Sequence, residues 1–340
     1  HTKSLIFVVQ FAVPVDVDGI VFLHVINISL NAHTMEEQSK RKPYLRKPKW
    51  LYTTIEGGEK YGFVEKTLEE NGLHTICSSG KCPNKGHCWK SGTATFMILG
   101  DRCTRACRFC ATQTGHPLPP DPHEPLKIAR SVKAMELRHC VITSVDRDDL
   151  ADKGSAHWAE TIRRIREYCP EIIIEVLIPD YRGQELQTVL DAAPDIVGHN
   201  LETVERLTPG VRHRATYRNS MGTLREIAER GFIAKTGIMV GLGETQEEVK
   251  ALLQEAYDVG CRMITIGQYL QPSENQLDVV EYVHPDTFLD YKRTAVRIGY
   301  DNAESSPLVR SSYMAEQSFI SMLVRKKKLE GKNKGEKVKD

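Results

Sequence analysis

Six of the nine cysteines fall into two short groups, and such grouping is typical of metal-binding loops. Three and then two residues separate Cys103, Cys107 and Cys110. Three thiolates on one short loop can hold a [4Fe–4S] cube and leave its fourth iron open to an outside ligand. A structural zinc site usually has four protein ligands, often paired as C-x-x-C units, and no second pair stands close by. The spacing therefore favours an iron–sulfur site.

The second group lies upstream, where Cys77, Cys82 and Cys88 are separated by four and five residues. Glycine, proline and asparagine between them predict a loop. The remaining cysteines lie in or beside apolar segments, and we expect them to be buried structural residues: Cys140, Cys169 and Cys261. An odd number of cysteines in a chain of 340 residues argues against a disulfide framework and fits a reducing cytoplasm.

The elements around Cys103 indicate where this loop is placed. A buried strand over 95–99 ends at Gly100, so the cysteines follow the carboxyl end of a strand, where α/β barrels carry their active sites. Apolar patterns predict strands at 95–99, 138–144, 171–178, 195–199, 233–240 and 262–268, with helices at 155–168, 245–258 and 286–299. A full eight-unit barrel needs about 250 residues. We therefore expect an α/β fold, a partial (β/α)6 barrel over 95–300.

Segments on both sides extend this barrel. Residues 35–94, with a helix over 61–71, form an N-terminal extension that carries the upstream cysteine group. Residues 301–324 form a C-terminal segment that ends in a short helix, with no further alternation after Tyr300, and 325–340 a disordered basic tail. We expect residues 1–34 to be a non-native or disordered leader, with Met35 as the natural start; the alternative is a membrane anchor.

Bulk composition excludes several classes of function. The chain is 40% hydrophobic and 27% charged, as expected of a globular protein outside the membrane. Its formal net charge is +1, so no overall field favours nucleic acid or a membrane surface. We expect a cytoplasmic protein without a nucleic-acid or membrane partner.

Both cysteine groups, taken with Arg310-Ser311-Ser312-Tyr313, resemble the lipoyl synthase family of radical S-adenosylmethionine (SAM) enzymes. The resemblance covers residues 42–324 and includes the segments 92–100, 141–150, 240–245 and 267–273. It implies an α/β partial barrel of the radical SAM type with cluster-binding extensions at both ends. It also implies SAM and two [4Fe–4S] clusters as cofactors. The implied enzyme is a sulfurtransferase that inserts sulfur at C6 and C8 of a protein-bound octanoyl-lysine.

The resemblance also implies roles for individual residues. Cys103, Cys107 and Cys110 would hold the cluster that binds SAM, and Phe109 would lie beside the adenine. The upstream group would hold an auxiliary cluster, which is the sulfur donor: Cys77, Cys82 and Cys88. The fourth ligand of that cluster in the family is a serine, carried here to Ser312, with Ser311 as the other choice.

Further polar residues near predicted strand ends have two interpretations each. Glu244 can meet a polar group of SAM or act only as a negative charge at a helix N-terminus. Asn200 can reach the methionyl group of SAM or serve a structural role. Asp146, Arg147 and Asp148 can position SAM or the entering peptide, or can be charged loop residues without a ligand.

The implied partners are octanoylated lipoyl-carrier domains, namely the acyltransferase subunits of 2-oxoacid dehydrogenases and the glycine cleavage H protein. An electron donor such as ferredoxin or flavodoxin is implied as well. Two alternatives remain open from the sequence. One is a different radical SAM sulfur-inserting enzyme, similar to biotin synthase, and the other is an iron–sulfur storage or carrier protein.

Overall fold

A computed structural model describes residues 45–53, 57–90, 94–312, 315, 319 and 320. Several sequence predictions lie outside these residues. They are the leader over 1–34, the start at Met35, nearly all of the helix near 315–324, and the basic tail. The described residues from Leu45 onward belong to one compact unit. The domain boundaries drawn from the sequence stay predictions.

Strands and helices alternate along the described chain. The strands are β1 (His74–Thr75), β2 (Thr95–Ile98), β3 (Arg102–Cys103), β4 (Gln113–Thr114), β5 (His139–Ser144), β6 (Ile173–Leu177), β7 (Ile196–Gly198), β8 (Ile233–Val240), β9 (Met263–Gln268) and β10 (Asn302–Ser305). The helices are α1 (Glu59–Asn71), α2 (Ile76–Ser79), α3 (Lys85–Lys90), α4 (Glu124–Ala134), α5 (Ser155–Tyr168), α6 (Gly183–Leu190), α7 (Thr208–Val211), α8 (Tyr217–Glu229), α9 (Gln246–Asp258) and α10 (Pro285–Ile298). A 3-10 turn covers Lys49–Leu51.

Eight strands form one sheet in the order β1-β2-β5-β6-β7-β8-β9-β10. Every neighbouring pair is parallel except β1 and β2, which are antiparallel. The six strands predicted from the sequence are all present and lie within a few residues of their predicted bounds. Because parallel strands share one direction, their carboxyl ends meet at one edge of the sheet.

One sequence prediction about this sheet is wrong. The alternation does not stop after Tyr300, because β10 adds a seventh parallel strand, paired with β9. The sequence Asn302-Ala303-Glu304-Ser305 has one apolar residue and no apolar run. Its place is fixed by the β9 ladder and by the Ser305 hydroxyl, which donates to the Phe288 carbonyl at 2.8 Å. Neither contact requires an apolar pattern in the local sequence, so hydrophobicity does not predict this strand.

The core lies between the sheet and its helices. Around β2, β5 and β6 it includes the fully buried Trp158 and Ile162 of α5. Around β8 and β9 it includes Leu253 of α9 and Phe288 of α10. Strands that are buried on both faces consist mainly of apolar residues, and these apolar runs predicted the strands from the sequence. Helix α9 begins at a capping box, where Thr245 accepts from the Glu248 N–H and Glu248 accepts from the Thr245 N–H.

Candidate active site

A left-handed turn leads the chain from β2 into the loop of Cys103, Cys107 and Cys110. Leu99 has φ 69°, a conformation that a branched side chain rarely adopts. Its N–H donates to the buried Glu124 carboxylate at 2.8 Å, and its carbonyl accepts from the Arg147 guanidinium at 3.2 Å. His157 also contacts Glu124, at 2.7 Å. Buried partners on both sides of the peptide therefore hold the strained residue in place.

The loop that follows is closed at its base and directs N–H groups at its sulfurs. Strand β3 pairs with β4, which brings Cys103 beside Thr114. Cys103 Sγ accepts from the N–H groups of Arg105 and Asp146, at 3.4 and 3.3 Å. Cys110 Sγ accepts from the Thr112 N–H at 3.4 Å. Such bonds favour a thiolate, because they stabilise its negative charge.

Burial acts in the opposite direction on these thiols. It raises the pKa of Cys103 to about 12, and the nearby Asp146 carboxylate adds to the rise. Burial also raises the pKa of Cys107. A thiol that coordinates a metal is nevertheless deprotonated, because the metal's positive charge outweighs these effects. The loop is thus suited to hold a cationic metal centre rather than free thiolates.

Arg105 anchors the same loop to two strand ends. Its guanidinium lies 2.8 Å from Asp148, 2.6 Å from Asp180 and 3.4 Å from Asp146. The hydrogen bond from Arg105 lowers the pKa of Asp148 to about 2, whereas burial raises the pKa of Asp146. Asp146 and Asp148 therefore contact the cysteine loop. Arg147 points elsewhere, to Asp149 at 2.9 Å and to Leu99.

The upstream cysteines lie on two short helices of the N-terminal extension and on the turn between them. Cys77 is buried in α2, which the Thr75 hydroxyl caps by accepting from the Ser78 N–H at 3.3 Å. Cys82 follows α2, and Cys88 belongs to α3. Burial raises the pKa of Cys82. Between them, the Asn84 amide donates to the Leu308 carbonyl at 2.7 Å, so the cysteine segment is fastened to the C-terminal segment.

Two glycines make room for that C-terminal segment inside the barrel. A Cβ on Gly267 of β9 would lie 2.1 Å from the Val309 carbonyl oxygen. A Cβ on Gly237 of β8 would lie 2.8 Å from Asn200 Oδ1 and 3.0 Å from Ser311 Oγ. A Cβ at Gly267 would collide with the backbone, so glycine is required there for this packing, whereas a Cβ at Gly237 would displace the Asn200 and Ser311 side chains.

Both candidate serines consequently lie among the strand ends. The Thr95 hydroxyl at the start of β2 donates to Ser312 Oγ at 2.8 Å. The Asn200 amide, just after β7, donates to Ser311 Oγ at 2.9 Å. The serines are therefore directed to different parts of the barrel, Ser312 to β2 and Ser311 to β7.

A cavity of about 610 Å³ at the carboxyl edge of the strands brings most predicted site residues together. Its lining includes residues from both cysteine groups and from the C-terminal segment: Cys77, Cys82, Cys103, Cys107, Phe109, Cys110, Asn200, Ser311 and Ser312. Cys88 and Glu244 are not among the lining residues. The Glu244 carboxylate accepts from the N–H groups of Gly241 and Leu242, and burial raises its pKa.

The donor set suits an iron–sulfur cluster. Within the described residues, no three His, Cys, Asp or Glu side chains stand close enough to hold a single metal ion. The thiolates of a [4Fe–4S] cube bind different irons at separate corners, so they stand further apart than the ligands of one ion. Cys103, Cys107 and Cys110 share one short loop, line one cavity and offer the soft sulfur ligands that such clusters require. These residues fit the cluster.

Comparison with known proteins decides the family. Residues 97–256 match the Radical SAM superfamily. Lipoyl synthase of Parabacteroides distasonis is 55% identical over 276 residues, which are 81% of this chain and 98% of the relative. Lipoyl synthase of Bacteroides fragilis (strain YCH46) is 54% identical over 275 residues, 80% of this chain and 96% of the relative. The chain belongs to the lipoyl synthase family. The predicted family and enzyme class are confirmed, and membership implies SAM and a [4Fe–4S] cluster.

A solved structure supports the fold of this lipoyl synthase family member. The FeFe-hydrogenase maturase HydG from Carboxydothermus hydrogenoformans superposes with a TM-score of 0.52, over 78% of this chain and 69% of that chain, at 14% identity. A likeness at this identity concerns the fold alone, and it confirms the partial barrel of the radical SAM type. Across the described residues, no helix is long and apolar enough to cross a membrane.

Some residues near the cavity escaped sequence analysis. Glu175 and Lys235 line it, yet each stands inside an apolar strand, and the apolar run conceals it. Arg105 lies between two cysteines, where its position alone does not indicate a separate role. A charge within a buried strand was the available signal for the first two, because such charges are rarely buried without a partner.

Proposed function

We propose that this lipoyl synthase family member inserts sulfur at C6 and C8 of an octanoyl chain attached to a lysine of a carrier protein. The observation that carries the proposal is that residues of both cysteine groups and two serines line one cavity. Both target carbons are saturated, and no side-chain base deprotonates an alkane at neutral pH. Their C–H bonds therefore call for hydrogen-atom abstraction, which depends on a cofactor.

The two cysteine groups divide the work in this proposal. Cys103, Cys107 and Cys110 hold a SAM-binding [4Fe–4S] cluster, and the upstream group holds an auxiliary [4Fe–4S] cluster: Cys77, Cys82 and Cys88. When bound, the first cluster with SAM supplies a carbon radical, and the auxiliary cluster supplies sulfur. Phe109 would pack beside the adenine of SAM, and the Asn200 amide would position its methionyl group. Glu244 shapes the Gly241–Leu242 turn next to this site through its two backbone hydrogen bonds.

Ser312 is the better candidate for the fourth ligand of the auxiliary cluster. Its hydroxyl accepts from Thr95 on β2, and β2 pairs with β1, the strand that leads directly into Cys77. Ser311 instead bonds Asn200 on the opposite side of the segment. The serine next to the β1–β2 pair is therefore the one nearer in topology to the upstream cysteines.

The cavity wall suits an acyl chain. Val141, Leu177, Ile238 and Met239 supply apolar lining. Burial of apolar surface favours methylene groups in such a place. We propose that the chain enters attached to lipoyl-carrier domains, the acyltransferase subunits of 2-oxoacid dehydrogenases or the glycine cleavage H protein. Ferredoxin or flavodoxin would supply electrons, and the cytoplasm would be the site of action.

An anaerobic assay tests this function. The reconstituted protein is mixed with an octanoyl-lysyl peptide, SAM and a reductant, and the mass of the peptide is measured by mass spectrometry. We expect two added sulfur atoms, production of 5′-deoxyadenosine, and about eight irons per chain, since each cube holds four. About four irons with no sulfur addition would instead point to a one-cluster enzyme or an iron–sulfur carrier.

A further inference from the structure

An ion pair is buried inside the barrel and has no role in the proposed chemistry. Lys235 Nζ on β8 lies 2.5 Å from Glu175 Oε1 on β6. The side chains are only 5% and 3% exposed. His139 Nε2 on β5 lies 3.2 Å from the other carboxylate oxygen. Buried charges are costly unless they are paired, so this arrangement needs a reason.

The pair stands at the deep end of the cavity. Both residues line the cavity, and each is the lining residue nearest to the N-terminal end of its strand. The cysteine loop lies at the other end, after the carboxyl ends of the strands. Two residues earlier on their strands, Ile173 and Ile233 belong to an apolar cluster with Ile196, Met263 and Phe319. Side chains two residues apart on a strand share a face, so Ile173 lies beneath Glu175 and Ile233 lies beneath Lys235.

Strand register places Glu175 of the pair level with Thr95, which bonds the serine proposed for the auxiliary cluster. Thr95, which bonds Ser312, pairs with Val141, and Val141 pairs with Glu175. Adjacent strands are about 4.8 Å apart, so the Cα atoms of Thr95 and Glu175 are separated by about 10 Å. In the proposed reaction C8 is both a reacting carbon and the chain terminus. The end of the octanoyl chain must therefore come to this level.

We propose that the Glu175–Lys235 ion pair is the floor of the acyl site and limits the acyl chain to eight carbons, an inference that rests on the proposed function. Val141, level with Glu175, and Leu177, two residues nearer the carboxyl end of β6, favour methylene groups by apolar contact. A chain with two more methylenes has to press between the charges or displace their hydrogen bonds. Separated charges in a dry interior lose their mutual compensation, so the longer chain binds less well.

The carboxylate at this floor is charged at neutral pH. Burial alone would raise the pKa of Glu175, but the charge of Lys235 and the hydrogen bond from His139 lower it to about 2. The apolar end of the acyl chain consequently contacts a charged ion pair and not a neutral carboxylic acid. A neutral floor of similar volume would present no comparable barrier.

Binding of octanoyl- and decanoyl-lysyl peptides tests the inference. The cluster-loaded protein is titrated anaerobically without reductant, and binding is followed by fluorescence anisotropy. The parent should bind the decanoyl peptide at least about tenfold more weakly, because the longer chain breaks a buried charge pair. In the double variant Glu175→Gln/Lys235→Met, the decanoyl peptide should bind as tightly as the octanoyl one or better, up to about fourfold per methylene.

Ile233→Ala is the matched control, because it opens space in the apolar cluster and leaves the pair in place. It should keep the preference of the parent. Equal binding of both peptides by the parent would overturn the inference, even if the double variant fails to fold. So would a double variant that folds and keeps the parent's preference, or an Ile233→Ala protein that admits the decanoyl chain.

Sulfur insertion into the octanoyl peptide separates this inference from the proposed function. If the parent adds two sulfurs but binds both chain lengths equally, the proposed function is supported and the proposed floor of the acyl site is overturned. If the parent prefers the octanoyl chain yet adds no sulfur, the proposed function is overturned. The ion pair would then still limit chain length, as the floor of an acyl-binding site.

Discussion

Thr95 donates a hydrogen bond to Ser312 at 2.8 Å, and this contact joins two parts of the chain that are 217 residues apart. Thr95 begins the strand that runs into the loop of Cys103, Cys107 and Cys110. Ser312 lies in the segment to which Asn84, between Cys82 and Cys88, is also bonded through Leu308. The contact therefore connects the strand that carries one cysteine group with the segment that holds the other.

Ser312→Ala should reduce sulfur insertion by about tenfold or more and leave SAM cleavage nearly unchanged, because the hydroxyl is assigned to the auxiliary cluster and not to the SAM site. Lipoyl peptide and 5′-deoxyadenosine are measured in the same reaction. Ser311→Ala is the matched control, because it removes a neighbouring hydroxyl that bonds Asn200 and is not assigned to the cluster. Equal sulfur insertion by the parent and Ser312→Ala would contradict the assignment and direct attention to Ser311.

Glu124→Ala should destabilise the protein by about 1–3 kcal/mol, because it leaves the buried Leu99 N–H and His157 without their acceptor. Urea unfolding followed by circular dichroism measures the change. The matched control is Lys127→Ala on the same helix, whose exposed ion pair with Asp121 should contribute at most about 1 kcal/mol. Identical unfolding midpoints for the two variants would show that the left-handed turn does not depend on Glu124.

The sequence predicts those features whose pattern lies within a short stretch of residues. The spacing of Cys103, Cys107 and Cys110 and the apolar runs of the strands are local patterns, so the cluster loop and the parallel sheet were foreseen. The capping box of Thr245 and Glu248 is another local pattern, since its two residues are three apart in the sequence.

Features that depend on partners distant in sequence were missed. Strand β10 is held by its neighbour β9 and carries no apolar run. Glu175 and Lys235 meet across 60 residues, and a period-two pattern does not reveal which strands face each other. The sequence left two roles open for Glu244, and only the fold shows its carboxylate turned back to the Gly241 and Leu242 N–H groups.

His199 should make stability depend on pH. Its burial, with repulsion from Arg212, lowers its pKa to about 4, while Nδ1 contacts the Ile178 carbonyl at 3.0 Å and Nε2 contacts Ser220 at 2.9 Å. The unfolded chain takes up the proton near pH 6.5, so the stability from neutral His199 is present above that pH. It declines as the pH falls from about 6.5 toward about 4.

Between pH 7 and pH 5 this residue should account for about 2 kcal/mol of lost unfolding free energy. Urea unfolding of the parent and of His199→Gln at both pH values isolates the effect, since a glutamine does not titrate. A pH dependence that stays the same in His199→Gln would mean that the histidine is not held neutral by the fold.

The division between the two cysteine groups is tested most directly by comparing Cys107→Ala with Cys82→Ala in one anaerobic reaction. SAM, a reductant and the octanoyl-lysyl peptide are supplied, and both 5′-deoxyadenosine and lipoyl peptide are measured. Cys107→Ala should form neither product, because the SAM-binding cluster is lost. Cys82→Ala should still form 5′-deoxyadenosine but add no sulfur to the peptide. A Cys82→Ala protein that made lipoyl peptide in stoichiometric yield would contradict the assignment of the upstream cysteines to the sulfur donor.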